Sequence, residues 1–177
     1  MASEKIIRQI DRAIKEAWLD GVYKDYMEHT LENEDCLCNS LYYHLRKKID
    51  NLIRENNIRI YTEWYFSELK YRADLIIAEI NPSKDGLIKD KVIDILAIVE
   101  LKFGVDPSQS TSEYIQRDFH KFKTYISKGY DCLYYFGIIY EVECITLNWL
   151  DKRSTRNWAK GHLTELNSGY IEDEMVF

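Results

Sequence analysis

The stretch Val92 to Phe103, VIDILAIVELKF, constrains the fold more than any other part of the chain. Val92, Ile93, Ile95, Leu96, Ala97, Ile98 and Val99 form a short, nearly continuous apolar run rich in β-branched residues. Such a run reads as a strand covered on both faces, and a strand covered on both faces demands layers above and below a sheet. Near its end stand Glu100 and Lys102. Strand side chains alternate, so these two share the face that carries Ile98. Charge at the end of a core strand needs a partner, because burying it alone is costly. Two readings fit: a paired structural bridge, or an active site in which Glu100 holds a cation and Lys102 handles developing charge.

Tyr71 to Ile80, YRADLIIAEI, is a second strand, with Asp74 at its start and Leu75, Ile76, Ile77, Ala78 and Ile80 apolar. A strand-end aspartate is common in turns. The order of an Asp on one strand and Glu-Leu-Lys on the next carries more information. Asp74 followed by Glu100-Leu101-Lys102 resembles the PD-(D/E)xK nuclease superfamily, over about Glu34 to Tyr140. Ala73 stands where the family name has proline, a departure frequent in the superfamily. The polar segment Asn81 to Lys91 explains the long gap between the two halves.

The resemblance implies an α/β domain of the restriction-endonuclease-like type, a mixed central β-sheet flanked by α-helices. It implies a nuclease that depends on Mg²⁺ or Mn²⁺ and hydrolyses phosphodiester bonds, DNA in preference to RNA, as in small prokaryotic members. Asp74, Glu100 and Lys102 would be its catalytic set, and Asp74, Glu100 and Glu34 its metal ligands. Glu34 takes the place of a glutamate that many of these families carry on the helix before the sheet; Glu32 and Asp35 are its rivals. Gln116, Lys121 and Arg72 would contact nucleic acid, with Lys123 a further phosphate contact. Arg72, two residues before Asp74, is expected on the same face, where it pairs with Asp74 or reaches a phosphate. The runner-up is a catalytically inactive nucleic-acid-binding or protein-interaction domain on the same fold, and the reading leaves room for a homodimer or a separate protein partner.

The rest of the chain supplies the layers. Ser3 is an N-cap for a first helix with Ile6, Ile7, Ile10, Ala13, Ile14 and Ala17 at helical spacing, and Gly21 is its expected stop. A second helix is expected over Leu31 to Asn57, capped by Asn33, with Leu37, Leu41, Leu45, Ile49, Leu52 and Ile53 as its stripe. Glu34 lies on that stripe, three residues before Leu37. Ile58 to Phe66 is the first strand, in an antiparallel meander with the next two. A third helix, about Ser112 to Ser127, follows a loop with Gly104, Asp106 and Pro107. On it, Asp118 and Lys121 have the spacing of a surface ion pair. Cys132 to Tyr140 is a further buried strand, parallel to Val92–Phe103 because a helix connects them. Glu143 to Leu150 suggests one more.

At 177 residues, one domain is expected, with residues 1–30 as a helical extension and 151–177 as a peripheral C-terminal segment that adds a hairpin. The net charge of −6 argues against a general nucleic-acid coat protein, although carboxylates of an active site contribute to it. An apolar run of membrane-spanning length is missing, as is the unbroken apolar core of a signal peptide. Cys36, Cys38, Cys132 and Cys144 lack zinc-site spacing and read as reduced thiols of a cytoplasmic protein.

Overall fold

The helix starts are set by single side chains. Ser3 Oγ accepts the Ile6 N–H at 3.4 Å and opens α1, Glu4–Glu16. Asn33 Oδ1 accepts the Cys36 N–H at 2.9 Å and opens α3, Glu34–Lys48. Each satisfies one of the donors that a helix leaves unpaired at its N-terminus. The computed structural model describes residues 2–105, 109–143, 158–172 and 174–177.

Gly21 does not end the first helix. The chain widens into a π-helical turn, Ala17–Val22, and continues as α2, Tyr23–Met27. Glycine is needed here for closeness rather than for termination: a Cβ on Gly21 would lie 2.3 Å from His44 Cγ. Gly21→Ala is therefore expected to destabilise the protein by about 1–3 kcal/mol from overpacking, against a gain of at most about 1 kcal/mol in helix propensity. Urea denaturation should show a lower midpoint; a higher one would mean that His44 swings aside freely. The long helix expected to Asn57 breaks at Ile49, whose φ of −106° and ψ of 17° are not helical. α4, Asp50–Glu55, follows.

The sheet has six strands in chain order: β1 Ile58–Phe66, β2 Tyr71–Ile80, β3 Val92–Phe103, β4 Leu133–Glu143, β5 Leu163–Ile171 and β6 Glu174–Val176. A single helical turn, α5 Ile88–Lys91, interrupts the β2–β3 connection. β1, β2 and β3 form the antiparallel meander, and β3 and β4 pair in parallel across α6, Gln109–Ser127. α6 thus begins three residues before the predicted start. One face of the sheet packs Leu75, Ile77, Ala97 and Val99 against Ile14, Trp18, Leu37 and Leu41 of the N-terminal helices. The other packs Ile76, Ile98, Phe136 and Ile138 against Ile115, Phe119 and Phe122 of α6. Leu96 through Leu101 are all at most 2% exposed, the state that the apolar run of β3 predicts.

The chain ends meet. The hairpin expected at the C-terminus forms between β5 and β6, and β5 also pairs in parallel with β4. The buried Trp18 Nε1 donates to Ser168 Oγ at 3.0 Å, so the N-terminal helices and β5 share the core. The strand expected over Glu143 to Leu150 lies, past Glu143, outside the described residues. Cys36, Cys38 and Cys132 are free thiols, and Cys144 lies outside that range. Among the described residues no helix is long and apolar enough to cross a membrane.

Candidate active site

The sheet opens where the motif residues stand. β2 and β3 pair as far as Leu75↔Val99. Beyond that point β2 stays with β1 to Tyr71↔Phe66, and β3 stays with β4 to Phe103↔Ile139. The two central strands therefore part at Asp74 and Glu100. The Asp74 carboxylate occupies the fork: its Oδ2 accepts the Leu101 N–H at 2.6 Å, which serves that amide in place of a ladder bond.

Side-chain alternation slips at the same place. Ala73, Ile76 and Ala78 all belong to the α6-side cluster, and Tyr71 packs against it. Strict alternation would not put Ala73 and Ile76 on one face. Asp74 falls between the pairs Thr62↔Leu75 and Trp64↔Ala73, opposite Glu63, whose φ of 53° is left-handed. This slip separates Arg72 from Asp74. Arg72 is exposed and pairs with Glu63 at 3.1 Å, not with Asp74 as its spacing suggested.

Around the fork four elements bring charge together. Glu100 of β3 is fully buried; Lys121 of α6 donates to its Oε2 at 2.7 Å, and Tyr125 to its Oε1 at 3.4 Å. Lys121 also reaches the Arg72 carbonyl at 3.3 Å and Asp118 at 2.8 Å. Lys102 donates to both Glu34 oxygens at 3.1 Å and to the Leu101 carbonyl at 2.8 Å, and lies 3.1 Å from Asp118 Oδ2. That last contact is a close charge pair rather than an aligned hydrogen bond, since Asp118 Oδ2 has no hydrogen-bond partner. Glu34 of α3 thus faces the fork through Lys102, its side chain 43% exposed.

Burial and crowding set the titration of this cluster. Burial raises the Asp74 pKa to about 6, against the pull of Lys102 and the Leu101 N–H. Burial, then Asp74, pushes Glu100 well above the ordinary glutamate value, with Lys121 opposing. Burial works against the Lys102 and Lys121 ammonium groups, but the carboxylates around them outweigh it and hold both above the ordinary lysine value.

Asp118 is the residue that the sequence reading underrates. It is 3% exposed, not on the surface, and bridges Lys102 and Lys121. The signal was present: Asp118 stands three after Ile115 and four before Phe122, on the buried stripe of α6. Tyr125, one turn past Lys121, joins through Glu100. Gln116 is exposed on α6 and lines a groove beside Lys121, whereas Lys123 is exposed to solvent. Glu32 and Asp35, the alternatives to Glu34, are exposed, and Glu34 is the acidic residue of that turn paired with Lys102.

Comparison of the chain with protein-family models, curated proteins and solved structures finds no match. What the site can do follows from its own geometry. Glu34, Asp74, Glu100 and Asp118 face Lys102 and Lys121, four carboxylates against two ammonium groups, a formal excess of two negative charges. Among the described residues, no three acidic, histidine or cysteine side chains already surround a common point; the carboxylates lean on lysines instead.

Proposed function

We propose that this protein is a metal-dependent nuclease of the PD-(D/E)xK type, on a restriction-endonuclease-like fold, that hydrolyses phosphodiester bonds of nucleic acid, DNA in preference to RNA. One observation carries the reading: six charged side chains from β2, β3, α3 and α6 meet at the fork of the sheet with negative charge in excess. A structural bridge needs one pair, and desolvation makes every further buried charge a burden. A cluster with uncompensated carboxylates makes sense when a cation completes it.

The donor set suits a hard ion. Its carboxylate oxygens are the ligands that Mg²⁺ or Mn²⁺ prefers. Asp74 and Glu100 would hold the ion, with Glu34 as a third ligand. When bound, the ion would polarise a phosphate oxygen and make a bound water more acidic. The carboxylates around Lys102 hold its pKa above the ordinary lysine value before any ion binds, which suits a protonated amine that orients a water or offsets phosphate charge. Asp118 and Lys121 hold Lys102 and Glu100 in place.

The pairing of carboxylates with lysines supports a second reading, a domain that binds nucleic acid without cutting it. One assay separates them. Labelled single-stranded DNA, duplex DNA and RNA are incubated with the protein in Mg²⁺, Mn²⁺ or EDTA and resolved on gels. Cleavage with either ion and none in EDTA is expected. Binding without cleavage under both ions would favour the second reading.

A further inference from the structure

A groove of about 690 Å³ runs beside the charged cluster, lined by Tyr71 at the start of β2 and by Glu113, Gln116, Arg117, His120 and Lys121 of α6. Its volume is in the range of small-molecule sites, about 300–1,000 Å³. We infer that this groove takes an unpaired nucleotide next to the scissile phosphate, so that the substrate is single-stranded nucleic acid rather than intact duplex. The inference rests on the nuclease reading of the adjoining cluster and adds the substrate class.

Three observations support it. First, one wall is aromatic and fixed. Tyr71 and His120 meet edge to face with centroids 6.4 Å apart and planes at 78°. Tyr71 is braced from behind by Tyr125 at 6.3 Å, and Tyr125 in turn donates to Glu100. A braced ring can stack on a base without further ordering. Second, the groove and the cluster share a residue. Lys121 lines the groove while its ammonium holds Glu100 at 2.7 Å, so a nucleotide here stands beside the fork. Third, the lining matches a nucleotide part by part: rings for a base face, the Gln116 amide for a base edge, and the Arg117 guanidinium for phosphate. A base within a duplex offers no free face to such a wall; only an unpaired or extruded one does.

The test is fluorescence polarisation in EDTA, where cleavage does not interfere. The probes are labelled oligo(dT) of roughly a dozen nucleotides, within the reach of a single-strand site, and a blunt hairpin duplex of equal length. Tighter binding of the single strand is expected. His120→Ala and Tyr71→Ala should each weaken it about 5- to 150-fold, the worth of one base stack, and leave hairpin binding unchanged. Because Tyr71 also packs on Tyr125, His120→Ala is the cleaner variant, and Tyr71→Phe should restore binding if the ring is what matters. Single-strand binding that ignores both alanine variants, or hairpin binding of equal strength, overturns the inference. The two readings fail separately. Mg²⁺-dependent cleavage that ignores both variants removes the groove and leaves the nuclease. Groove-dependent binding of the single strand without cleavage in Mg²⁺ or Mn²⁺ removes the nuclease and leaves the single-strand site.

Discussion

Glu100→Gln and Lys102→Ala are expected to cost cleavage a similar factor, about 10²–10³ each, and to move stability in opposite directions. Glu100 is fully buried, and burial already works against its charge. Glutamine keeps the shape and an oxygen for Lys121, and Lys121 keeps Asp118 at 2.8 Å. The metal-free variant has less excess negative charge to hold together, so it should melt above the wild type. Lys102→Ala does the reverse. It takes a cation from Asp118, which is 3% exposed, and from Glu34, leaving carboxylates less compensated. Because Asp118 retains Lys121, the loss should stay below the roughly 3–5 kcal/mol of a buried pair broken outright. Initial cleavage rates in Mg²⁺ and melting curves in EDTA give both quantities. A Glu100→Gln protein that melts well below the wild type would mean that the carboxylate serves the fold, and the metal-site reading would then lose its main support. A stability gain joined to a loss of activity is the usual mark of charges kept for chemistry.

Much of the sheet is legible in the sequence because its signals are local. β1, β2 and β3 occupy the spans that their β-branched runs and turn residues mark, and the antiparallel and parallel pairings follow from connection length. What is not legible depends on partners distant in the chain. Gly21 looks like a helix stop until His44 is placed against it. β5, LTELNSGYI, has too mixed a pattern to mark its bounds or its place beside β4; its pairing with β4 and β6 sets both. At the site, the sharing of a face by Glu100 and Lys102 follows from simple alternation, and both turn toward α6. Arg72 and Asp74 fail the same rule because the slip opposite Glu63 depends on how β1 and β2 pair, not on the residues of β2 alone. Asp118 has a lysine three residues on, the spacing of a surface pair, but the apolar stripe around it is the stronger signal.

In EDTA the Asp74 carboxyl should cost the folded protein stability as pH rises from about 4 to about 6, and Asp74→Asn should remove that cost. Burial raises the Asp74 carboxyl from 3.8 to about 6. Below the lower value both the folded and unfolded chains hold the proton, and the site carries no penalty. Between the two values the unfolded chain has released it while the folded chain has not, so rising pH favours unfolding. Above about 6 both have released it and the full penalty stands. At 1.36 kcal/mol per unit this amounts to at most about 3 kcal/mol, an upper figure because Asp74 keeps some contact with water. Glu100, raised in the same direction, adds to the trend at higher pH. Asparagine retains an oxygen for the Leu101 N–H and has no proton to lose, so the variant should match the wild type near pH 4 and exceed it above pH 6. Urea denaturation across that range, for both proteins, yields the difference directly. A difference that stays flat, or that favours the wild type as pH rises, would contradict a buried, uncompensated carboxylate at the fork. Mg²⁺ supplies the complementary measurement. It competes with protons for the same carboxylates, so the stabilisation it confers on the wild type should grow through about pH 6 and be small in Asp74→Asn at every pH.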